Sequence, residues 1–421
     1  MTNGRLRLCF LTRDYALQPP YGGVATYVRD AARWLAAQGH DIEVVCVNRK
    51  HVPHTTEDGR VNVHFVSPKR IKPRRLVGLA ARLPGLDSLR EAYSGWGLLE
   101  NSLGGWSTVR LLSRAARFDL IECDDYEGLA FWGLWPIHRY RVLLRGHGII
   151  HLDLPFARYP GARFHHFLER LCADRADFIL TASENLVGCY RAELGLRHNR
   201  IASLALPLDV RDMPQRDGDD IRTDGQVTVL YVGRLEHRKG TDLLFAALPL
   251  VRQQFAGVRC VLVGATEDEF TEQLASFLAS NAGWVTYAGA LPQDQVFVYM
   301  ARADILAFPS RTETLPRTLI EAQLLGLPQV ATRVGGIPEV VEDGVTGLLI
   351  DSDDAEALAD AIAKLCLDQG LRTRMAEASR ARAPRKYDID TIMAQQLALY
   401  QTLANGSTPA GAFGNARNLI A

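Results

Sequence analysis

Thr228-Val-Leu-Tyr-Val-Gly-Arg234 is an apolar run that breaks at Gly233, and Leu235-Glu-His-Arg-Lys-Gly240 follows before a helical pattern begins at Thr241. A short apolar run bounded by glycine and succeeded by a helix reads as one βα unit of a parallel sheet. Gly233, Arg234 and Lys239 then lie on the loop at the carboxyl end of the strand, where open α/β sheets bind their ligands. An arginine fork and a lysine point charge in that position suit a diphosphate. Two isolated cations alone would more often be a solvated loop.

The same unit recurs along the chain. Strand-like runs at 6–11, 42–47, 61–66, 120–123, 142–144 and 178–181, then at 227–232, 258–263, 285–288, 305–308, 329–332 and 347–350, alternate with helical segments. Such alternation predicts parallel sheets with helices on both faces. With 421 residues and 47% hydrophobic content, the chain has material for two full cores. The expected architecture is therefore α/β, with two doubly wound Rossmann-like domains facing across a cleft. Residues 1–210 form the first, the polar break 211–226 is a linker, and 227–385 form the second. The Gly/Ser/Ala/Asn-rich stretch 405–421 is expected to be disordered.

A second stretch carries chemistry. Glu313-Thr-Leu-Pro-Arg-Thr-Leu-Ile-Glu321 follows the apolar run ending at Phe308-Pro309-Ser310 and leads into a periodic helix. Pro316 suits the first helical turn, where its missing N–H is not needed. The amides of Arg317 and Thr318 would then offer an anion site at a positive helix end. A phosphate held there leaves Glu313 and Glu321 to accept hydrogen bonds from hydroxyls on either side of it. A nucleotide sugar presents that pattern: diphosphate in the middle, ribose at one end, hexose at the other. Two solvated glutamates flanking an ordinary helix start are the competing reading.

Charge and cysteines exclude other classes. Lys+Arg and Asp+Glu both number 48, so no overall field favours nucleic acid. Residues 1–210 hold 28 basic and 21 acidic side chains, a net of +7, and the remainder is −7. The seven cysteines include no Cys-x-x-Cys pair and several sit in apolar runs, as structural thiols of a reducing compartment do. No run is long and apolar enough for a membrane span or a signal peptide, so a cytoplasmic location is expected. An insertion, 69–117, opens with a basic, leucine-interleaved segment at 69–90 that suits an anionic membrane face or a polyanionic acceptor. A solvated helix pair would have the same composition. Trp96 and Trp106 beyond it could be interfacial anchors, stacking rings for an acceptor, or core aromatics.

Together these pieces resemble the retaining glycosyltransferases of the large sucrose-synthase-like family (family 4), which have the GT-B fold. Gly22-Gly23 opens a helix that ends at Gln38-Gly39-His40. Gly233-Arg234 is followed by Lys239-Gly240, and Pro309-Ser310 precedes the paired glutamates. Glu321-Ala322 precedes Gly326-Leu327-Pro328. Gly335-Gly336-Ile337-Pro338-Glu339 and Asp343-Gly344-Val345-Thr346-Gly347 complete the set. Each is weak alone; their order and spacing are specific, and they span most of the chain.

The resemblance implies a donor site built from Gly22, Gly23, Gly233, Arg234, Lys239, Glu313, Leu315, Pro316, Thr318 and Glu321. Arg234 and Lys239 would stabilise the leaving diphosphate, Glu321 would bind ribose, and Glu313 would contact sugar hydroxyls. His147, in Arg-Gly-His-Gly, matches the family's histidine beside the donor sugar. The resemblance also implies no metal and no cofactor, and a helix at 386–404 returning to the first domain. Asp14, Tyr15 and Asp124, at neighbouring strand ends, are candidate acceptor contacts for a glycan, lipid-linked or small-molecule acceptor. Two departures stand out: Glu313-Thr314-Leu315-Pro316 replaces a common Glu-Gly-Phe-Gly, and Leu206-Pro207-Leu208-Asp209 replaces a common Asn-Gly-Val-Asp. A nicotinamide oxidoreductase fits the alternation but lacks the Gly-x-Gly-x-x-Gly fingerprint. A sugar-nucleotide epimerase, a phosphorylase or a non-catalytic binding module on the same fold remains open.

Overall fold

The computed structural model describes residues 4–17, 22–48, 52–71, 87–136, 139–149, 162–209, 213–214 and 225–407, with side chains from residue 95 onward in the 87–136 stretch. The chain forms two compact units, Met1–Pro207 with Asp390–Ala421, and Leu208–Ile389.

The first unit is built on an eight-stranded sheet among the described residues: β1 (Arg7–Thr12), β2 (Asp41–Val47), β3 (His54–Asp58), β4 (Val61–Val66), β5 (Leu120–Asp124), β6 (Val142–Gly146), β7 (Phe178–Thr181) and β8 (Ile201–Ser203). Their order is β3-β4-β2-β1-β5-β6-β7-β8. All neighbours are parallel except β3 and β4. Strand order reverses between β1 and β5, where Leu8 pairs with Leu120 and Leu11 with Cys123. Buried strands read as continuous apolar runs because helices cover both faces. On one face Cys9, Leu11, Ile121, Cys123, Val142 and Leu144 pack around Trp106. That tryptophan is fully buried, its indole N–H donating to the Leu129 carbonyl at 2.9 Å, so it is a core aromatic. The helix Gly23–Ala37 buries Ala25, Tyr27, Val28, Ala31, Ala32, Leu35 and Ala36, one stripe at helical spacing.

Among the described residues the second unit has a parallel six-stranded sheet: β9 (Val227–Val232), β10 (Val258–Val263), β11 (Val285–Gly289), β12 (Ile305–Phe308), β13 (Gln329–Thr332) and β14 (Gly347–Ile350), ordered β11-β10-β9-β12-β13-β14. Here the reversal falls between β9 and β12. Helices Thr241–Gln254 and Ala355–Leu367 close one face over Val227, Val229 and Tyr231.

Two Rossmann-like sheets are what the alternation predicts, with two corrections. The first sheet is not wholly parallel, and β3 and β8 have no counterpart among the expected strands. β3 reads His-Thr-Thr-Glu-Asp, a polar edge strand, and β8 is only three residues long. Helix Gln369–Tyr387 breaks at Asp388, and helix Ile389–Ala404 then packs on the first unit, where the Trp34 indole donates to Asp390 at 2.6 Å. All seven cysteines are free thiols and all but Cys189 are buried. The basic segment 69–90, the linker 211–226 and the tail 405–421 lie largely outside the described residues. Among the described residues no helix is long and apolar enough to cross a membrane.

Candidate active site

At the β9–β12 reversal the chain assembles cations and carboxylates in pairs. Lys239 ends a short 3₁₀ turn, His237–Lys239, and Gly240 follows it at φ +67°. A Cβ on Gly240 would lie 1.9 Å from the Pro309 carbonyl, so only glycine lets this turn press against the loop after β12. The approach brings the Lys239 Nζ to 2.5 Å from Glu313 Oε1, and the Ser310 hydroxyl donates to the same oxygen at 2.8 Å. Glu313 is held by its backbone as well. Its carbonyl accepts from the Gly336 amide at 3.1 Å, and a Cβ on Gly335 would stand 1.8 Å from that carbonyl.

Arg234 sits on the same loop with its side chain 55% exposed, its two terminal nitrogens 3.4 Å from Glu236 and from Glu267. A hydrogen bond to Glu236 raises the Glu267 carboxyl above its ordinary range, aided by partial burial. The two cations expected to meet the diphosphate thus each face a carboxylate.

Pro316 is the N-cap, not the first helical residue, and the helix runs Arg317–Leu324. The helix therefore starts one residue later than the proline suggests. Thr318 is its second residue, Leu315 is buried ahead of it, and Glu321 is buried one turn in, 3.6 Å from the Arg317 Nε. One residue has no sequence signal. Arg311 grips Asp242 with both terminal nitrogens at 2.7 and 2.8 Å and donates to Asp353 at 2.6 Å, bracing the Ser310–Glu313 loop. Burial alone would raise the Asp242 carboxyl, but the Arg311 fork overrides it and holds it below its ordinary range. Its partners lie 69 and 42 residues away, beyond any local pattern.

In the first unit, the β1–β5 reversal positions His147. Asp124 accepts from the Thr12 hydroxyl at 2.6 Å and the Arg13 amide at 3.3 Å, and its other oxygen meets His147 Nε2 at 3.1 Å. With a carboxylate accepting there, Nε2 carries a proton. Asp124 is buried and holds the imidazole through that contact. Asp125 accepts from the His147 amide at 3.1 Å and from the Tyr190 hydroxyl. Tyr15 is buried as well, and its hydroxyl donates to Asp58 at 2.6 Å, which Arg33 grips. Asp14 stays exposed at the end of β1, and Gly22 caps the helix that Gly23 begins, with open space where a Cβ would stand.

Burial pushes the Asp125 carboxyl up to about 7. Below its ordinary value both folded and unfolded states hold the proton. As pH rises from about 4 to 7 the unfolded chain loses it and the folded chain keeps it, so stability falls across that window. Asp125→Asn cannot ionise and should lack this contribution. The midpoint difference, variant minus wild type, should therefore grow between pH 5 and pH 8, and a constant difference would count against a neutral buried Asp125.

Comparison with known proteins shows the family. Residues 22–207 match the family described as Glycosyl transferase 4-like domain, and residues 216–382 match Glycosyl transferases group 1. The D-inositol 3-phosphate glycosyltransferase of Acidothermus cellulolyticus is 30% identical over 407 residues, covering 88% of this chain and 84% of that protein. The chain belongs to the group 1, family-4-like glycosyltransferases. A GDP-mannose-dependent alpha-(1-6)-phosphatidylinositol monomannoside mannosyltransferase of Mycobacterium tuberculosis is 33% identical over 175 residues, 40% of this chain and 46% of that protein, so this match spans about half of the relative. Sucrose-phosphate synthase from Thermosynechococcus elongatus has the same fold, with a TM-score of 0.77 and 21% identity over 95% of this chain and all of that one.

Proposed function

We propose that the chain is a hexosyltransferase that moves a sugar from a nucleoside diphosphate donor to a hydroxyl acceptor, with retention and without a metal ion. The observation that carries this is the Lys239–Glu313 pair, set beside Arg234 at the switch point of the second sheet. Breaking the bond between the sugar's anomeric carbon and the phosphate oxygen sends the electron pair to the diphosphate. Preorganised cations aimed at developing charge are the largest catalytic contribution such a site can make. Lys239 and Arg234 supply them in place of a divalent ion. The acceptor oxygen bonds to the anomeric carbon, and its proton passes to the departing phosphate on the same face, which preserves configuration. Glu321 binds the ribose, and His147, oriented by Asp124, serves the sugar. The named activities of the two relatives make an inositol-bearing acceptor the first to try, among glycan, lipid-linked and small-molecule hydroxyls.

The test is thermal unfolding with UDP, GDP or ADP, each at about 1 mM, on wild type and Lys239→Ala together. A ligand at roughly 100 times its dissociation constant stabilises by about 2.7 kcal/mol. One diphosphate should raise the wild-type midpoint and leave the variant unmoved, naming the base. A clean melt that answers to none of them overturns the donor reading. Isolation of a covalent glycosyl-enzyme adduct would overturn retention by same-face displacement, and loss of turnover in chelator would overturn metal independence.

A further inference from the structure

Two residues before His147, β6 carries Arg145, whose side chain is completely buried. Its guanidinium carbon lies 4.3 Å over the ring of Tyr27, yet among the described residues none of its three nitrogens has a hydrogen-bond partner. An uncompensated buried cation is costly. The nearby carboxyl is that of Glu122 on β5, buried on the same side of the sheet; burial raises it above its ordinary range and Arg145 opposes that rise. The Tyr27 hydroxyl donates to one Glu122 oxygen at 2.7 Å, and the Tyr400 hydroxyl donates to the other. Gln396, one turn before Tyr400 on the returning helix, donates to the Tyr27 hydroxyl at 2.7 Å.

Tyr27 is therefore held by a cation on its face, a carboxylate at its hydroxyl and an amide from the returning helix. Its ring and the His147 imidazole form a T-shaped pair, with ring centroids 5.7 Å apart and planes at 65°. Apolar residues of similar volume would fill this space at equal or lower cost. What the polar set adds is a fixed orientation for the ring beside the histidine.

We infer that Tyr27 is a positioning residue for His147, and that Arg145, Glu122, Gln396 and Tyr400 form the cradle that fixes it. The carboxy-terminal helix thereby takes part in setting the active-site histidine. Among the described residues the imidazole meets Asp124 at Nε2 and the Tyr27 ring. Releasing the second frees the ring to turn about its own axis. This inference rests on the proposed part of His147 in the transfer.

The experiment is steady-state kinetics with melting curves on the full chain, carrying His147→Ala, Arg145→Met, Arg145→Lys, Tyr27→Leu, Tyr27→Phe and Tyr400→Phe. Misplacement of a catalytic group by about 1 Å costs up to roughly 100-fold, so Arg145→Met and Tyr27→Leu should lower kcat by about 10- to 100-fold. Donor KM should stay within about twofold, because ground-state binding is untouched. Arg145→Lys, which keeps a charge over the ring, should recover most of kcat. Tyr27→Phe and Tyr400→Phe, each losing one hydroxyl, should show smaller falls in kcat alone. If Arg145→Met fails to fold, those two single-hydroxyl variants decide. Unchanged kcat per folded molecule across the cradle, with His147→Ala inactive, would reduce the cradle to a structural role and overturn the inference. An active His147→Ala would overturn both the inference and the part proposed for that histidine.

Discussion

Lys239→Ala lowers kcat by about 10²- to 10³-fold, the scale seen when one preorganised group that stabilises transition-state charge is removed. Its ammonium is less exposed than the Arg234 guanidinium, 18% against 55%, so of the two its field on a bound diphosphate is the less screened. The substitution also leaves Glu313, only 9% exposed, with the Ser310 hydroxyl but without its cation. Removing one partner of a largely buried pair costs stability because the other stays charged. A loss of about 1–3 kcal/mol is the expected size for a buried polar group left short of a partner. The pairing therefore predicts a fall of several degrees in melting temperature. Lys239→Ala with Glu313→Gln should regain most of that fall and none of the turnover. Recovery of turnover in the double variant, or wild-type kcat in Lys239→Ala, would remove the pair from the chemistry.

The second large effect is expected at Glu321. Its carboxylate is buried on the helix Arg317–Leu324, where only a deliberate ligand or partner justifies a charge. If it receives the ribose hydroxyls, Glu321→Ala loses charge-assisted hydrogen bonds worth about 1.5–3 kcal/mol each, a factor of roughly 10 to 100 per bond in kcat/KM. A substrate-side comparison separates this from simple damage. A 2′-deoxyribose donor should be poor with wild type and lose nothing further with Glu321→Ala. Arg317→Gln, which touches the other side of the carboxylate, should lower the melting temperature more than it alters discrimination between the two donors. Equal discrimination by wild type and Glu321→Ala would assign Glu321 to its contact with Arg317.

The strands at Val61–Val66, Phe178–Thr181, Val227–Val232, Val258–Val263, Ile305–Phe308, Gln329–Thr332 and Gly347–Ile350 begin and end where the apolar runs do. A parallel strand covered on both faces has no polar side to blur its limits. β3 and β8 escape the same reading because an edge strand keeps its solvated, polar composition and a three-residue strand has too little pattern to register. Arg234, Lys239 and Glu313 follow strand ends and Glu321 lies one turn into a helix, positions that glycine and proline punctuation marks in the sequence.

What was not legible is how those residues are employed. Glycine, proline and apolar periodicity act over a few residues, so the sequence by itself determined two doubly wound sheets, the loops at their carboxyl ends and the family. Pairings between distant side chains depend on register and helix placement. The Lys239–Glu313 contact spans 74 residues, His147–Asp124 spans 23, and Tyr400–Glu122 spans 278. Only the tertiary structure decided that Tyr15 turns inward to Asp58, that Asp124 serves His147, and that a helix from the end of the chain reaches the carboxylate beneath Tyr27. The physical reason is burial: once a polar group is taken from water it must find a partner wherever the fold has placed one, and chain distance has no part in that choice.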